Sequence, residues 1–525
     1  MKNKILVITF ITLSFLLSSI FFSVLFINDP LKLFHKPWKY EQYLQRNMRQ
    51  QAAGILNNWE YDSIILGTSM LENTSSREAS KILNGKFINI SISGSDYFER
   101  AIVLNYVLKK QKIKKILYSL DSMGLVNFRK GHNQHKIHTW DYLYDNNPFN
   151  DFNAYMNNKY LKCLFSISSK KECIGRKVNF DRPNAWYTSK VHIVRFGGLD
   201  NWFKAKNNSQ IKAAFKSILR SVKQIENGKI RIDQNLKSNI LKSQKYIDNT
   251  LIKFVSKYLD TEFILVLPPY SRMKYAMMAQ YDISSFERYK ASIKYLVNKS
   301  KKYSNLKIYG WGNHSFVDNI ANYKDLSHYE YKINSWMLDA IKREEGLLSV
   351  NNIDNYLDIF TQKALDYNLF ELGNKIDKYL YPRDKKIFKY QKSKNEIKIF
   401  DINDIKYKYY KSNRLTIIKK KLTTTHHDPI IILNKLKTKS EFVRLNYNLD
   451  SSVKTVFQLF YKENKSTKYT ENNSYKVAIK KGKNKISLSI PAKYINNQLR
   501  VDLVSKIGKY KINDFSIYEV EEPVK

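Results

Sequence analysis

Between residues 55 and 123 short apolar runs alternate with helical patterns, and nothing else in the chain restricts its fold as strongly. Strands are predicted at Asp62–Leu66, Lys86–Ile92 and Ile113–Leu120, with helices at Ser76–Leu83 and Asp96–Gln111. Alternation at this spacing buries its apolar faces as a parallel sheet with helices on both sides. The pattern resumes at Thr261–Leu267, where Pro268 and Pro269 stop a buried strand and send the chain over the sheet edge. A helix at Ser284–Lys302, a strand at Leu306–Tyr309 and an amphipathic run at Tyr329–Ile341 complete it. The expected class is α/β: one parallel sheet over about residues 50–345, with an insertion at about 124–250.

Two stretches at the extremes of this unit carry reactive side chains. Ile64-Ile65-Leu66-Gly67-Thr68-Ser69 reads as a strand, a tight glycine turn and a serine lifted to the C-terminal edge of the sheet. Active sites of open α/β folds collect at that edge, although strand–Gly–Ser turns are common and mostly structural. Far downstream, Asp325-Leu326-Ser327-His328 precedes the Tyr329–Ile341 run. A carboxylate and an imidazole three residues apart at a helix start share one face, so the acid can fix the ring tautomer while the other nitrogen addresses a hydroxyl. Taken alone, Asp325 would read as an N-cap and His328 as a half-buried ring. Their pairing with Ser69 across one α/β unit favours the catalytic reading. His314 is a rival base without an acidic partner at helical spacing. The strand Phe87–Ile92 runs into Gly94, whose N–H can stand open where a side chain would block a substrate; a plain helix-entry turn is the other reading.

Gly67-Thr68-Ser69, the segment Asn89 to Gly94, and Asp325-Leu326-Ser327-His328 together resemble the blocks of the SGNH (GDSL-like) hydrolase superfamily. The closer resemblance is to its membrane-anchored envelope branch, which includes the alginate O-acetylation proteins and the teichoic-acid D-alanylation protein. It covers about residues 55–345. It implies Ser69 as nucleophile, His328 as base, Asp325 as the residue orienting the base, and the Ser69 and Gly94 N–H groups as oxyanion donors. Two departures stand out. The first block reads Gly-Thr-Ser rather than Gly-Asp-Ser, and no Gly-x-Asn-Asp block is present, because the third strand ends Leu117-Tyr118-Ser119-Leu120-Asp121-Ser122. The usual asparagine donor to the oxyanion is therefore unassigned.

The chain begins with an uncharged apolar run, Ile5–Ile27, long enough to cross a bilayer and followed by Asn28-Asp29-Pro30 rather than a cleavage site. Lys2 and Lys4 precede it and Lys32, Lys36, Lys39 and Arg46 follow it, so charge does not fix its orientation. Residues 1–30 are expected to form a single-pass anchor in the cytoplasmic (inner) membrane, held through residues 5–27, with a periplasmic body. For Cys163 and Cys173, a disulfide in an oxidising compartment and two reduced structural thiols are equally compatible readings.

Ninety Lys and Arg against 47 Asp and Glu give a net charge of +43. This favours an anionic glycan or membrane surface, with a general Lys-rich coding bias close behind. Nucleic acid is disfavoured, because the lysines are scattered and no nucleic-acid motif accompanies them. His132, His135 and His138 lie in a loop-like stretch without Cys or carboxylate, so no metal and no cofactor is expected.

Residues 346–394 read as a helical connector. From 395 to 525 short strands recur at regular spacing, among them Glu396–Phe400, Leu415–Ile418, Ile430–Leu433, Phe442–Leu449 and Thr455–Tyr461. This is the pattern of an antiparallel β-sandwich. It resembles the carbohydrate-binding-module-like jelly rolls appended to envelope glycan enzymes; a packing or dimerisation domain is the alternative. The expected function is that of an anchored acyl, most simply acetyl, transferase or esterase acting on an envelope polysaccharide. A membrane partner that exports acyl groups is implied by the resemblance. A non-catalytic glycan-binding or assembly protein on the same scaffold is the second reading.

Overall fold

The computed structural model describes residues 2–121, 134–166, 170–380, 388–389, 396–402, 410–413, 415–418, 421–424, 429–433, 436–462 and 469–520. The chain divides into two compact units, residues 1–376 and 377–525.

In the first unit β1 (Ser63–Leu66), β2 (Phe87–Asn89), β3 (Lys115–Ser119), β4 (Glu262–Leu267) and β5 (Leu306–Gly310) form a parallel sheet in the order β2-β1-β3-β4-β5. Ile64 pairs with Ile88 on one side and Ile116 on the other, and Leu265 lies between Tyr118 and Ile308. All of β1 and nearly all of β4 are buried, so their apolar residues run consecutively instead of alternating. This is a doubly wound order, and the strand sequence reverses beside β1. The Ser69 turn leaves the sheet at that point.

The helices used below, in chain order, are α1 (Lys2–Asn28), α2 (Met48–Asn58), α3 (Ser76–Leu83), α4 (Tyr97–Lys110), α5 (Ser209–Glu226), α6 (Leu236–Ile247), α7 (Arg272–Gln280), α8 (Ile283–Lys302), α9 (Tyr331–Lys342), α10 (Ile353–Asp366) and α11 (Leu369–Leu380), besides further short pieces. Those that follow β1 and β2 are started by side chains: Ser75 accepts from Glu78 N–H, and Asp96 and Glu99 form a reciprocal capping box. The segment read as a helical connector spans the boundary between the two units. Its helix α10 packs into the first unit through Phe360, which lies against Tyr275 and Phe286.

Among the described residues α1 is the one helix long and apolar enough to cross a membrane. It ends on a hub rather than a linker. The Asp29 carboxylate accepts from the N–H groups of Leu33 and Phe34 at 2.8 and 2.9 Å and from the Tyr155 hydroxyl. Gln51 of α2 donates to the Leu31 carbonyl at 2.7 Å. Within the insertion Trp140 and Trp202 are fully buried. Cys163 and Cys173 are joined in a disulfide with a Cα separation of 5.4 Å, which resolves the two readings of that pair. Ser122, His132 and the ring of His135 lie outside the described residues, and His138 is exposed.

The second unit contains two antiparallel sheets. One has the order Tyr410–Asn413, Ile430–Leu433, Leu499–Asp502, Thr455–Tyr461 and Ser474–Ile479. The other is built on Gly508–Val520, Phe442–Ser451 and Gly482–Pro491. Along Phe442–Ser451 every second residue is buried, and Val443, Leu445 and Tyr447 share one core with Phe457, Leu459 and Val501 of the first sheet. The strand Lys421–Thr424 was not foreseen, because it is short and polar.

Candidate active site

The turn after β1 is tight because Gly67 is pressed against its neighbours. A Cβ there would come within 2.6 Å of Ser119 Oγ and 2.9 Å of the Leu71 side chain. The Thr68 hydroxyl donates to Asp121 at 2.7 Å, and Asp121 also accepts from Ser119 Oγ at 2.8 Å. The buried Arg100 guanidinium lies 3.4 Å from Asp121 and donates to the Ser119 carbonyl at 2.6 Å. The end of β3 therefore supplies a carboxylate under the turn, where it fixes Thr68. Removing one member of such a buried pair typically costs 3–5 kcal/mol, about the scale of a large core defect.

Ser69, half-buried, sits on this platform. Its Oγ is 2.9 Å from His328 Nε2. His328 Nδ1 lies 2.9 Å from each oxygen of Asp325. A carboxylate acceptor places the proton on Nδ1, so Nε2 is bare and accepts from the serine hydroxyl. Burial alone would raise the Asp325 carboxyl, but the His328 ring, the nearby Lys324 ammonium and the His328 backbone N–H together hold it well below the usual carboxylate range.

One expectation is corrected in its cause. The Asp325–His328 pair does not stand on a helix start, because α9 begins at Tyr331 with Glu330 as its N-cap. The pair lies in a loop closed by a bridge between Tyr323 and Tyr329 and by the Lys324 N–H to His328 carbonyl bond of 3.0 Å. Asp325 Oδ1 accepts from Ser327 and His328 N–H at 2.9 and 3.0 Å, so the three-residue spacing is set by an Asx-type turn. His314 packs against Phe316 and Trp336; it is His328 that reaches Ser69.

The loops that carry these groups are tied together. Tyr329 OH and Asn334 Nδ2 both donate to the Met70 carbonyl, at 3.1 and 2.9 Å. Ser271 Oγ donates to the Leu326 carbonyl at 2.7 Å. Ile92 N–H donates to the Gly67 carbonyl at 2.8 Å, which holds the Gly94 turn beside the Ser69 turn. Gly94 has φ +65° and open space where a Cβ would project, and neither the Gly94 nor the Ser69 N–H has an acceptor among the described residues.

Sequence reasoning placed the insertion, with Trp140, Trp186 and Trp202 in or near it, over the sheet edge, but not the wall it makes around the imidazole. Trp186, from the insertion, donates its Nε1–H to the Ser69 carbonyl at 3.1 Å and meets the His328 ring edge-on at 5.6 Å. The Lys324 ammonium lies 4.1 Å from the Trp186 ring centre and 3.2 Å from His192 Nδ1, which also accepts from Arg195 at 2.6 Å. Burial and these two cations push His192 down to about 4, and burial brings Lys324 down to about 8. Trp202 donates to the Tyr323 carbonyl at 3.0 Å, so the insertion braces both ends of the site. The only sequence signal for this was tryptophan in an otherwise irregular stretch.

No protein-family model matches the sequence, and no curated protein matches it. Among solved structures it is similar to a two-domain esterase (CEX) active on acetylated mannans and co-crystallized with mannopentaose, at 9% identity. That comparison covers 88% of this chain and 91% of the other, with a TM-score of 0.18. It is also similar to the capsular polysaccharide assembling protein CapF from Staphylococcus aureus, at 12% identity over 88% of this chain and 97% of that one, with a TM-score of 0.17. Scores this low do not establish a shared fold, and the reading of the site rests on this chain's own geometry.

Proposed function

We propose that the protein is a membrane-anchored serine enzyme of SGNH type that moves an acyl group, most simply acetyl, to or from a cell-envelope polysaccharide outside the cytoplasm. The observation that carries this reading is the unbroken chain of hydrogen bonds from Ser69 through His328 to Asp325 at the C-terminal edge of the parallel sheet. In the reaction Ser69 Oγ attacks the acyl carbonyl while His328 Nε2 takes its proton. The Ser69 and Gly94 N–H groups receive the negative oxygen, an effect worth several kcal/mol of barrier in such sites, of order 3 kcal/mol per donor. His328 returns the proton to the leaving oxygen. A sugar hydroxyl or water then gives its proton to His328 and attacks the acyl carbon, and His328 passes that proton to Ser69 Oγ as it leaves, so the step is transferase or esterase respectively.

The charge of +43 suits an anionic polysaccharide, and the second unit, read as a jelly-roll-like sandwich, is the natural place to hold it. An acyl-exporting membrane protein would supply the donor. A serine-directed sulfonyl or phosphonyl reagent is expected to label Ser69 alone. Ser69→Ala is expected to abolish turnover of a small acetyl ester with an unchanged melting temperature. One feature favours a non-catalytic scaffold instead: the sequence carries no Gly-x-Asn-Asp block after β3, and Asp121 there is used beneath the turn. Normal acylation of the cell's polysaccharide by the Ser69→Ala protein would decide for that scaffold.

A further inference from the structure

The end of α1 and the surface around it make a second contact surface, apart from the candidate active site. The uncharged run begins at Ile5, and at 1.5 Å per residue Phe22 lies about 26 Å and Phe26 about 32 Å further along the axis. A hydrocarbon core is about 30 Å thick, so these two phenylalanines stand at the boundary where the helix leaves it. The body begins at this level and not above it. Phe152 packs on Phe22 at 5.0 Å and on Phe34 at 4.3 Å. His35 Nε2 donates to the Phe26 carbonyl at 2.7 Å, and Trp38 stacks on the His35 ring at 4.0 Å. The Asp29 hub fixes all of these relative to the helix.

The residues beside these contacts are apolar and open. Trp38 is 66% exposed, and Phe149, three residues before Phe152, is 86% exposed. Met156, just past the Tyr155 that bonds Asp29, is also exposed. Lys36 and Lys39 flank Trp38 and are exposed as well. Aromatic rings at the boundary with lysines reaching past them match the composition of a membrane interface, where rings settle among headgroups and ammonium groups meet phosphates.

We propose that Trp38 and Phe149 insert into the headgroup layer of an anionic phospholipid bilayer, so that the body is seated on the membrane surface rather than held above it. The proposal rests on α1 spanning that bilayer. Lipid is the occupant favoured because the patch is continuous with the spanning helix and carries cations where phosphates would lie.

The test uses the full chain in nanodiscs of phosphatidylethanolamine and phosphatidylglycerol, with the native disulfide closed. Nitroxide labels are placed singly at Trp38→Cys, Phe149→Cys, Ile27→Cys and, as an exposed reference, Lys229→Cys. Collision with dissolved oxygen and with a water-soluble nickel chelate is read at each site. The expected result is a loss of nickel accessibility at 38 and 149, with oxygen accessibility close to that at 27 and unlike that at 229. Nickel accessibility at 38 and 149 equal to that at 229, with 27 still in lipid, would overturn the seating while leaving the anchor intact. Labels at 38 and 149 shielded from both reagents would mean that a protein covers the patch and would overturn the lipid assignment. Extraction of the chain by carbonate, with 27 open to nickel, would overturn both seating and anchor. None of these outcomes depends on the acyl-transfer reading.

Discussion

Replacement of Asp325 by Asn tests the site through its tautomer. Two backbone N–H groups, of Ser327 and His328, bind Asp325 Oδ1 at 2.9 and 3.0 Å. An asparagine must keep its carbonyl oxygen there, because turning the amide would leave two N–H groups facing an NH2. The NH2 then faces His328 Nδ1, where Oδ2 now lies at 2.9 Å. It donates to Nδ1, the ring proton moves to Nε2, and Nε2 can no longer take the proton of Ser69. In a serine triad the wrong tautomer costs about four decades of rate, or about 5 kcal/mol of barrier. The expected result is a fall of about 10⁴ in kcat for a small acetyl ester, with KM within a few-fold. The melting temperature should hardly move, since the turn keeps its bonds. Nitrogen NMR of the ring should show the proton on Nε2 in the variant and on Nδ1 in the parent. An Asp325→Asn protein with more than a tenth of parental kcat would refute the assignment of His328 as the base positioned by Asp325.

Other expectations follow from single groups. Gly94→Ala places a side chain at φ +65° in open space; it should cost about 1 kcal/mol of stability and lower kcat by about tenfold or more through a displaced N–H, with KM little changed. Equal kcat would remove Gly94 from the oxyanion site. Burial raises Glu72 to about 8, against an opposing bond from Asn184, from an ordinary value of 4.5. As pH rises from about 4.5 to 8 the unfolded chain ionises this group while the folded one keeps its proton, so stability falls across that window and levels off above it. Glu72→Gln keeps the acceptor for Asn184, and its melting-temperature advantage over the parent should widen between pH 5 and pH 8 by the equivalent of roughly 2–4 kcal/mol; a constant gap would show that the carboxyl is ionised in the fold. Reduction of the Cys163–Cys173 bond, which closes a loop of sequence separation 10, should cost on the order of 2–3 kcal/mol and lower the melting temperature of the intact protein. Identical melts with and without reductant would mean that the bond is absent in solution.

The parts legible in the sequence are those whose signal is local. Buried parallel strands read as apolar runs, so β1, β4 and β5 were placed within a residue or so, and the glycine after β1 marks the turn because no side chain fits there. Asp325 and His328 were legible by chemistry rather than geometry, since an acid and an imidazole three apart satisfy a helix start and an Asx turn equally well. Backbone donors decided for the turn. The wall that Trp186, His192 and Lys324 build around the imidazole was not legible. These residues come from an irregular insertion and a short loop without a period, and their roles exist only because the fold brings them to one imidazole. Asp121 carried no assignment in the sequence for a related reason: only the fold shows that burial sends it to Thr68 and Arg100 beneath the turn.

The long reach of the bonds that make the site has a consequence in time. Ser69 is separated from His328 by 259 residues, and Asn334, which steadies the Met70 carbonyl, is 264 residues from it. At synthesis rates of about 5–20 residues per second, the serine is made tens of seconds before its base. Throughout that interval the nascent chain carries a plain hydroxyl with no proton acceptor, and the Trp186 wall can close on half a site only. Under the proposed function, reactivity is switched on by completion of the first unit, and a chain stalled or cut before residue 328 is expected to be inert towards esters.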